Sequence, residues 1–505
     1  MEDAEKERRR RLRSLEKELV DIESEINIES LLDVLQAVIL DCEGPAFRRV
    51  ANIETFLERF QPKVKDISKW RTNYKDFDII KTIGKGAFGM VQLVRHTPSR
   101  KVYAMKMLNK HEMVKRSEPN CFWEERYILA NANSEWIVKL YYAFQDSKFL
   151  YMVMDYMAGG DLANLLDVYD FSEEWARFFC AEMVLAVDII HTMGFVHRDV
   201  KPDNMLLDSS GHLKLADFGT CTRMAEDGLV RCDVPVGTPD YISPEVLRAQ
   251  EQGRGFGRYG RECDFWSIGI CLYEMLCGVT PFYHESLSFT YANIMNHQNS
   301  LVFPDESETL LSDHAKNLIC AFLCDRSTRL GRQGTDEIKA HPFFYNDVWN
   351  FETIREAMAP IIPELKADDD SSNFSMPDDD KKHEPGTFEP VNSFEGNHLC
   401  FAGFSYNREY QLLGINSILN QENTAPKENC SGNANEITSN GLHDQLSKLI
   451  SENHELTRLV AAARADLFDQ QKKLEIEEEM RRKAEETVQE LISKVGKEQT
   501  EKASH

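Results

Sequence analysis

Asp199, Lys201 and Asn204 stand within six residues in the run His197-Arg198-Asp199-Val200-Lys201-Pro202-Asp203-Asn204. A carboxylate beside an incoming hydroxyl can orient it and accept its proton. Asn204 offers an oxygen to a magnesium ion. Asp217, in Asp217-Phe218-Gly219 thirteen residues on, offers another. Magnesium is a hard cation and favours such donors. Upstream lies Gly84-Lys85-Gly86-Ala87-Phe88-Gly89-Met90-Val91. Glycines let a backbone approach phosphates with no Cβ in the way. By itself such a run is a weak signal. A dinucleotide-binding turn would open a helix, whereas β-type residues flank this one. Fifteen residues after Val91, Tyr103-Ala104-Met105-Lys106 ends on a lysine that suits the α- and β-phosphates as a point charge. Glu125 suits its helix-borne partner, with Glu124 as the competitor. One step along a helix turns a side chain by about 100 degrees, so only one of the two can face Lys106. An exposed salt bridge is the plain reading for either glutamate, and it fits Glu124 better. Together these groups could position a nucleotide and a hydroxyl for phosphoryl transfer.

The elements that must carry them change character along the chain. From Tyr74 short β-type runs appear (Phe77 to Ile80, Val91 to Val94, Lys101 to Met105). Beyond about residue 130 the texture is helical as far as Phe344. A strand-rich start and a helical bulk predict an α+β, two-lobed body. Before it, Leu12, Leu15, Leu19, Ile22 and Ile26 recur at steps of three and four, predicting a helix over the first 30 residues. Leu31 to Leu40 and Ile53 to Phe60 continue as amphipathic helices. Residues 1–73 thus form a helical extension, too small for much core, that dimerises or packs on its neighbour. Residues 365–400 are rich in Asp, Ser, Pro and Glu and are expected not to order themselves. Residues 407–438 read as a linker. A heptad series at 442–500, with Asn453 at a core position, predicts a parallel two-stranded coiled coil.

Composition narrows the classes. The 505 residues carry a formal charge of −25, and residues 101–350 alone hold 36 acidic against 23 basic side chains. That balance excludes a general nucleic-acid-coating role. The best apolar run, Phe265 to Val279, is short for a membrane span and is interrupted by Glu274. The N-terminus lacks the apolar stretch of a signal peptide. Twelve cysteines without a C-x-x-C pair predict buried free thiols in a reducing cytosol rather than zinc.

Ser243-Pro244-Glu245, Asp264-Phe265-Trp266-Ser267-Ile268-Gly269 and Arg329-Leu330-Gly331 complete an ordered set of seven motifs over about 250 residues. The set resembles the eukaryotic protein-kinase superfamily across 77–344. In the tail that follows (345–406), Phe401-Ala402-Gly403-Phe404-Ser405-Tyr406 looks like the hydrophobic motif of the AGC kinase group. Phe122 to Arg126, Ala143 to Asp146, Gly194 to Phe218 and Val236 to Val246 are similar to the Rho-associated coiled-coil kinase family. That likeness spans about residues 30–406. Myotonic-dystrophy-related and citron kinases share the architecture and are the near alternatives.

The resemblance implies a bilobal serine/threonine kinase that uses ATP and Mg2+. Ile83, Val91, Ala104 and Leu206 would sandwich adenine under a glycine-rich loop running from Gly84 to Val91. Met154 would be the gatekeeper, Asp155 and Met157 the hinge, and Asp161 the ribose contact. Lys106 and Glu125 would pair. Asp199 would be the catalytic carboxylate, Lys201 would neutralise the transferring group, and Asn204 and Asp217 would hold magnesium. Phe401, Phe404, Ser405 and Tyr406 would dock on the small lobe and steady the Glu-bearing helix. Substrates implied are protein hydroxyls in basic contexts, such as myosin light chain and the myosin phosphatase targeting subunit. Asp161, Asp203 and Glu274 fall where related kinases meet Arg or Lys. The family is cytoplasmic, cytoskeleton-associated and dimeric. It carries a longer coiled coil and a Rho-binding segment, so a chain ending at His505 is expected to match an N-terminal portion or a short isoform. Nothing in 407–505 assigns Rho GTPase binding. One position departs from the AGC pattern: Val234 stands where many members have a phosphorylatable Thr, four residues before Thr238. The expectation is a loop that works without phosphate there, with Asp233 as partial countercharge. A pseudokinase scaffold would lack a catalytic residue, and Lys106, Asp199, Asn204 and Asp217 are all present. A cytoskeletal adaptor built on the helical ends would leave the seven motifs unexplained.

Overall fold

The computed structural model describes residues 2–22, 24–86, 89–115, 121–232, 236–251, 257–305, 311–374, 388 and 394–408. All belong to one compact unit, Met1–Asn420. The linker beyond 408 and the heptad series at 442–500 lie outside the described residues, as do Ala87, Phe88, Asp233 and Val234.

Three helices come first: α1 (Glu2–Val20), α2 (Ile28–Cys42) and α3 (Ala51–Trp70). The single helix expected over the first 30 residues is instead broken after Val20. Asn27 causes the break, because its carboxamide caps α2 by accepting from Ser30 N at 2.8 Å and donates back to the Ile22 and Ser24 carbonyls. Helices α2 and α3 close on Ile39, Leu57 and Val64. Leu12 and Leu15 on α1 stay exposed.

The small lobe follows: β1 (Phe77–Gly86), β2 (Gly89–His96), β3 (Val102–Asn109), α4 (Lys110–Lys115), α5 (Cys121–Asn131), β4 (Leu140–Gln145) and β5 (Phe149–Asp155). The large lobe holds α6 (Leu162–Val168), α7 (Glu173–Thr192), the short strands β6 (Phe195–Val196), β7 (Met205–Leu207), β8 (Leu213–Leu215), β9 (Thr222–Arg223), β10 (Leu229–Arg231) and β11 (Arg258–Gly260), and α8 (Pro244–Glu251), α9 (Glu262–Cys277), α10 (Leu287–Met295), α11 (His297–Ser300), α12 (Asp313–Phe322) and α13 (Asp336–Lys339). The tail ends in β12 (Tyr406–Asn407).

The main sheet is antiparallel in the order β1-β2-β3-β5-β4-β12, so the tail supplies its edge strand. Strand alternation divides β3 between two faces. Tyr103, Met105 and Met107 enter the cluster with Phe77, Tyr142 and Val153. Ala104, Lys106 and Leu108 face the cleft. In the large lobe, α7 and α9 are buried on nearly every side, which explains their unbroken apolar runs. The Phe265 to Val279 run is this core helix, and it ends at Gly278, whose φ of 75° only glycine adopts freely. No helix among the described residues is long and apolar enough to cross a membrane.

Residues 365–374 depart from the reading of 365–400 as unable to order. Asp368 and Asp369 pair with Arg95, Ser371 accepts from Lys81, and the Asp370 carbonyl accepts from the Tyr156 hydroxyl. Order here comes from partners on the body, chiefly the charges of Arg95 and Lys81, with Phe374 packed beside Tyr156.

Candidate active site

The catalytic loop is built around one buried carboxylate. Asp264, at the start of α9, accepts from the backbone N–H groups of His197 and Arg198 at 2.9 and 2.8 Å, and from His191 Nε2 at 2.8 Å. These bonds hold Arg198 at φ 71°, a conformation an arginine rarely keeps unaided. The Arg198 guanidinium donates to the Thr220 carbonyl at 2.6 Å and lies 3.2 Å from Cys232 Sγ and 3.4 Å from the Tyr259 hydroxyl. Glu245 and Arg329, from two of the outer motifs, form a buried ion pair that also carries Arg329 over the Trp266 ring.

On this base Asp199 is fixed from both sides. Thr238 donates its N–H and its hydroxyl to Oδ1 at 2.8 and 2.7 Å. Lys201 Nζ and Asn204 Nδ2 both lie 3.2 Å from Oδ2. Lys201 also donates to Thr238 Oγ1 at 2.7 Å. Asn204 Nδ2 donates to the Asp199 carbonyl at 2.8 Å, which leaves its Oδ1 as the acceptor end. Across the cleft, Lys106 Nζ lies 2.6 Å from Glu125 Oε1 and 2.7 Å from Asp217 Oδ1. Burial opposes the Lys106 charge, but the Asp217 and Glu125 carboxylates outweigh it and hold its pKa above the usual lysine value. The Lys106 ammonium in turn holds the Asp217 carboxyl down to about 2. Glu125 is the buried glutamate of the pair Glu124 and Glu125. That settles which one faces the lysine.

Of these groups Lys106, Glu125, Asn204 and Asp217 border one cavity of about 740 Å3, and Asp199 joins it through its bond from Asn204. Ile83, Val91, Ala104, Met154 and Leu206 form its apolar walls, and Lys85, Met90, Asp155, Met157 and Asp161 also line it. A Cβ at Gly84 or Gly86 would make only ordinary contact, with Val91 at 3.6 Å and the Gly89 carbonyl at 4.0 Å. Gly89 is different: a Cβ there would fall 1.8 Å from the Met107 carbonyl. The close packing of β2 on β3 therefore requires glycine there, beside the cavity that Gly89 also lines. In the hinge, Asp155 N–H is bonded to the Lys139 carbonyl, so it could meet a ligand only through its own carbonyl. Its carboxylate is tied to Tyr141 and Lys214. Asp161 caps α6 through Asn164 N at 2.8 Å. Burial, and after it Asp203 and Asp167, raise its pKa.

The donor set suits a nucleotide and a divalent cation. Asn204 and Asp217 present hard oxygens to the cavity that holds Lys106. Among the described residues no three acidic, histidine or cysteine side chains cluster as a metal cage. The remaining ligands would have to be phosphates and water, as is usual for magnesium.

The tail motif docks on α5. Phe401 and Phe404 are fully buried against Phe122 and Trp123. Trp123 Nε1 donates to the Cys400 carbonyl at 3.0 Å, and Arg126 sits over the Tyr406 ring. Ser405 gives its N–H and hydroxyl to Asp33 of α2 at 2.9 and 2.8 Å. Asp33 also accepts from Arg71 and Gln145. Sequence reading left Asp33 out of the site, and it passed over Phe374, which lines the nucleotide cavity beside Tyr156. It named Thr238 only for its spacing. No local pattern marks Asp33 or Phe374, because the contacts that join them to the tail or the body, Asp33 with Ser405 and Phe374 with Tyr156, span more than 200 residues.

Residues 77–344 match the family model described as the protein kinase domain. The chain is 51% identical over 491 residues to Rho-associated protein kinase 1 of Homo sapiens, covering 95% of this chain and 35% of that protein. It is 58% identical over 402 residues to Rho-associated protein kinase 1 of Mus musculus, covering 79% and 29%. It is 48% identical over 404 residues to serine/threonine-protein kinase MRCK alpha of Rattus norvegicus, covering 78% and 23%. The chain thus spans about a third of the length of the Rho-associated relatives it matches. With the family model covering more than half of its residues, and Lys106, Glu125, Asn204 and Asp217 gathered on one cleft, the chain belongs to the protein kinase family.

Proposed function

We propose that the chain is a serine/threonine kinase of the Rho-associated type, which transfers the γ-phosphoryl group of ATP to hydroxyls in basic protein contexts. The observation that carries this is the Lys106–Glu125 and Lys106–Asp217 pairs on one cavity, joined through Asn204 to the Asp199–Thr238–Lys201 contacts. Bound ATP with magnesium supplies the transferable group and neutralises part of its charge. Glu125 and Asp217 hold the Lys106 ammonium in place for phosphate oxygens. Thr238 fixes Asp199, which orients the hydroxyl and takes its proton at a carboxylate oxygen. Lys201 places a cation beside that carboxylate, where charge develops during transfer.

Basic substrates are supported by the acidic rim. Burial raises the pKa of Glu274, and Asp203, Asp240 and Asp167 add to the rise. A substrate Arg or Lys would relieve that repulsion. The Rho-associated relatives match at higher identity than MRCK alpha does, which favours their type. Cytoskeletal regulators as substrates, a cytoplasmic location, homodimerisation through the helical ends and a Rho GTPase partner at the level of the family belong to the same proposal.

The test is phosphate transfer to a peptide carrying Ser and Tyr with Arg upstream. Phosphoserine, lost in Lys106→Ala while the fold is kept, is the expected result. Phosphotyrosine alone, or no transfer by the wild-type chain, would overturn the reading.

A further inference from the structure

We propose that Arg223 is a positioning residue that ties the Glu125-bearing helix to the catalytic loop and the activation segment through two aromatic rings. The inference rests on the kinase reading and adds a device to it. Glu125 and Tyr127 are two steps apart on α5, about 200 degrees around the helix. While Glu125 faces inward to Lys106, Tyr127 faces away, toward the strand that enters the catalytic loop. There the Tyr127 ring lies 5.8 Å from the Phe195 ring, inclined at 41°. Arg223 bridges both, with its guanidinium carbon 5.1 Å from the Tyr127 centroid and 4.7 Å from that of Phe195. Both distances are within cation–π reach.

The backbone puts the guanidinium there. Strands β6 and β9 pair antiparallel with Phe195 opposite Arg223, so the two side chains share a face. Met224 N–H closes the same turn on the Gly194 carbonyl at 2.8 Å. Phe195 is fully buried and lies two residues before His197. Among the described residues Arg223 has no carboxylate partner, and the two rings are what engage its charge. A shift of α5 away from Lys106 would break the Glu125 pair and also disturb the seat of Tyr127 on the cation and on Phe195. The helix is therefore gripped from opposite sides, by an ion pair within the cleft and by a cation–π bridge outside it. Position 234 is valine, so no phosphate can form there to add a tie through Arg198.

The experiment uses the full 505-residue chain. It compares wild type, Arg223→Met, Arg223→Lys, Tyr127→Leu and the Arg223→Met/Tyr127→Leu double variant. Turnover number and KM for ATP are measured on a Ser peptide, with hydrogen exchange of the α5 amides and thermal midpoints. The expected result is a loss of about fivefold in turnover for Arg223→Met and for Tyr127→Leu, a double variant no worse than either alone, partial recovery in Arg223→Lys, faster α5 exchange, and unchanged midpoints. Wild-type turnover in Arg223→Met, multiplicative losses in the double variant, or losses that follow the thermal midpoint would overturn it. Because wild-type transfer is measured alongside, failure of the bridge is distinguished from failure of the kinase reading.

Discussion

Residues 368–374 and residues 401–406 both return from the tail to the small lobe, and different forces hold them. The first segment is held by charge at the surface: Arg95 reaches Asp368 and Asp369 at 2.9 and 2.8 Å, and the Asp368 carboxylate remains 62% exposed. The second is held by burial, with Phe401 and Phe404 both at 0% exposure and Asp33 closing over Ser405. Exposed pairs are screened by salt and contribute little to stability. Buried rings and buried hydrogen-bonded carboxylates are indifferent to salt and expensive to disturb. The strap is thus suited to tuning the nucleotide cavity, where it ends on Phe374, and the motif to fixing α5.

The largest effect tests the buried contact. Phe404→Ala should cost about 3–5 kcal/mol of docking stability and lower turnover more than tenfold, because α5 loses the rings that back it. Denaturation and steady-state rates check this, and an unchanged rate with a destabilised fold would separate docking from catalysis. Next comes Asp33→Ala, which strands donors on Arg71, Gln145 and Ser405. A loss of about 3 kcal/mol is expected, insensitive to added salt; a loss that salt abolishes would put this node in the same class as the strap.

The substrate rim is held by charge, as the strap is. Asp161 and Glu274 have raised pKa values, chiefly from burial. Acidification therefore protonates them earlier than ordinary carboxylates. KM for an Arg-containing peptide should climb several-fold as the pH falls from neutral toward the carboxylate range, while KM for a peptide without basic residues stays flat. Parallel curves for the two peptides would remove the rim from recognition. The smallest effect belongs to Arg95→Ala: a rise of roughly twofold in KM for ATP, mimicked in wild type by about 1 M salt, where the Debye length is only ~3 Å, with no change in thermal midpoint. A large stability loss here would erase the distinction between the two segments.

Much of the active cleft was legible because its residues lie in short runs whose spacing reflects local backbone needs. His197 to Asn204 is one loop, and Tyr103 to Lys106 is one strand. The motif favours Glu125 over Glu124, and the burial of Glu125 against Lys106 agrees with that choice. The second demand on Gly89 was not legible, since the Met107 carbonyl that excludes a Cβ there sits on another strand. The bond from Ser405 to Asp33 joins the two ends of the described chain, and no periodicity encodes it. The acidic run at Asp368 to Asp370 looked unable to order because composition weighs a segment alone, whereas its partner Arg95 belongs to β2. Helix α1 was drawn too long because the a/d pattern continues through Ile22 and Ile26, where the cap at Asn27 starts a new helix.

The central claim is that Asp199, fixed by Thr238 and Lys201, serves transfer of a phosphoryl group to a hydroxyl. It is tested most directly by measuring magnesium-dependent transfer from ATP to a basic Ser peptide by purified wild-type chain and by Asp199→Asn, with nucleotide affinity measured on both. Retained affinity with turnover lowered about a hundredfold or more is the predicted result. Equal turnover in the two proteins would contradict the account.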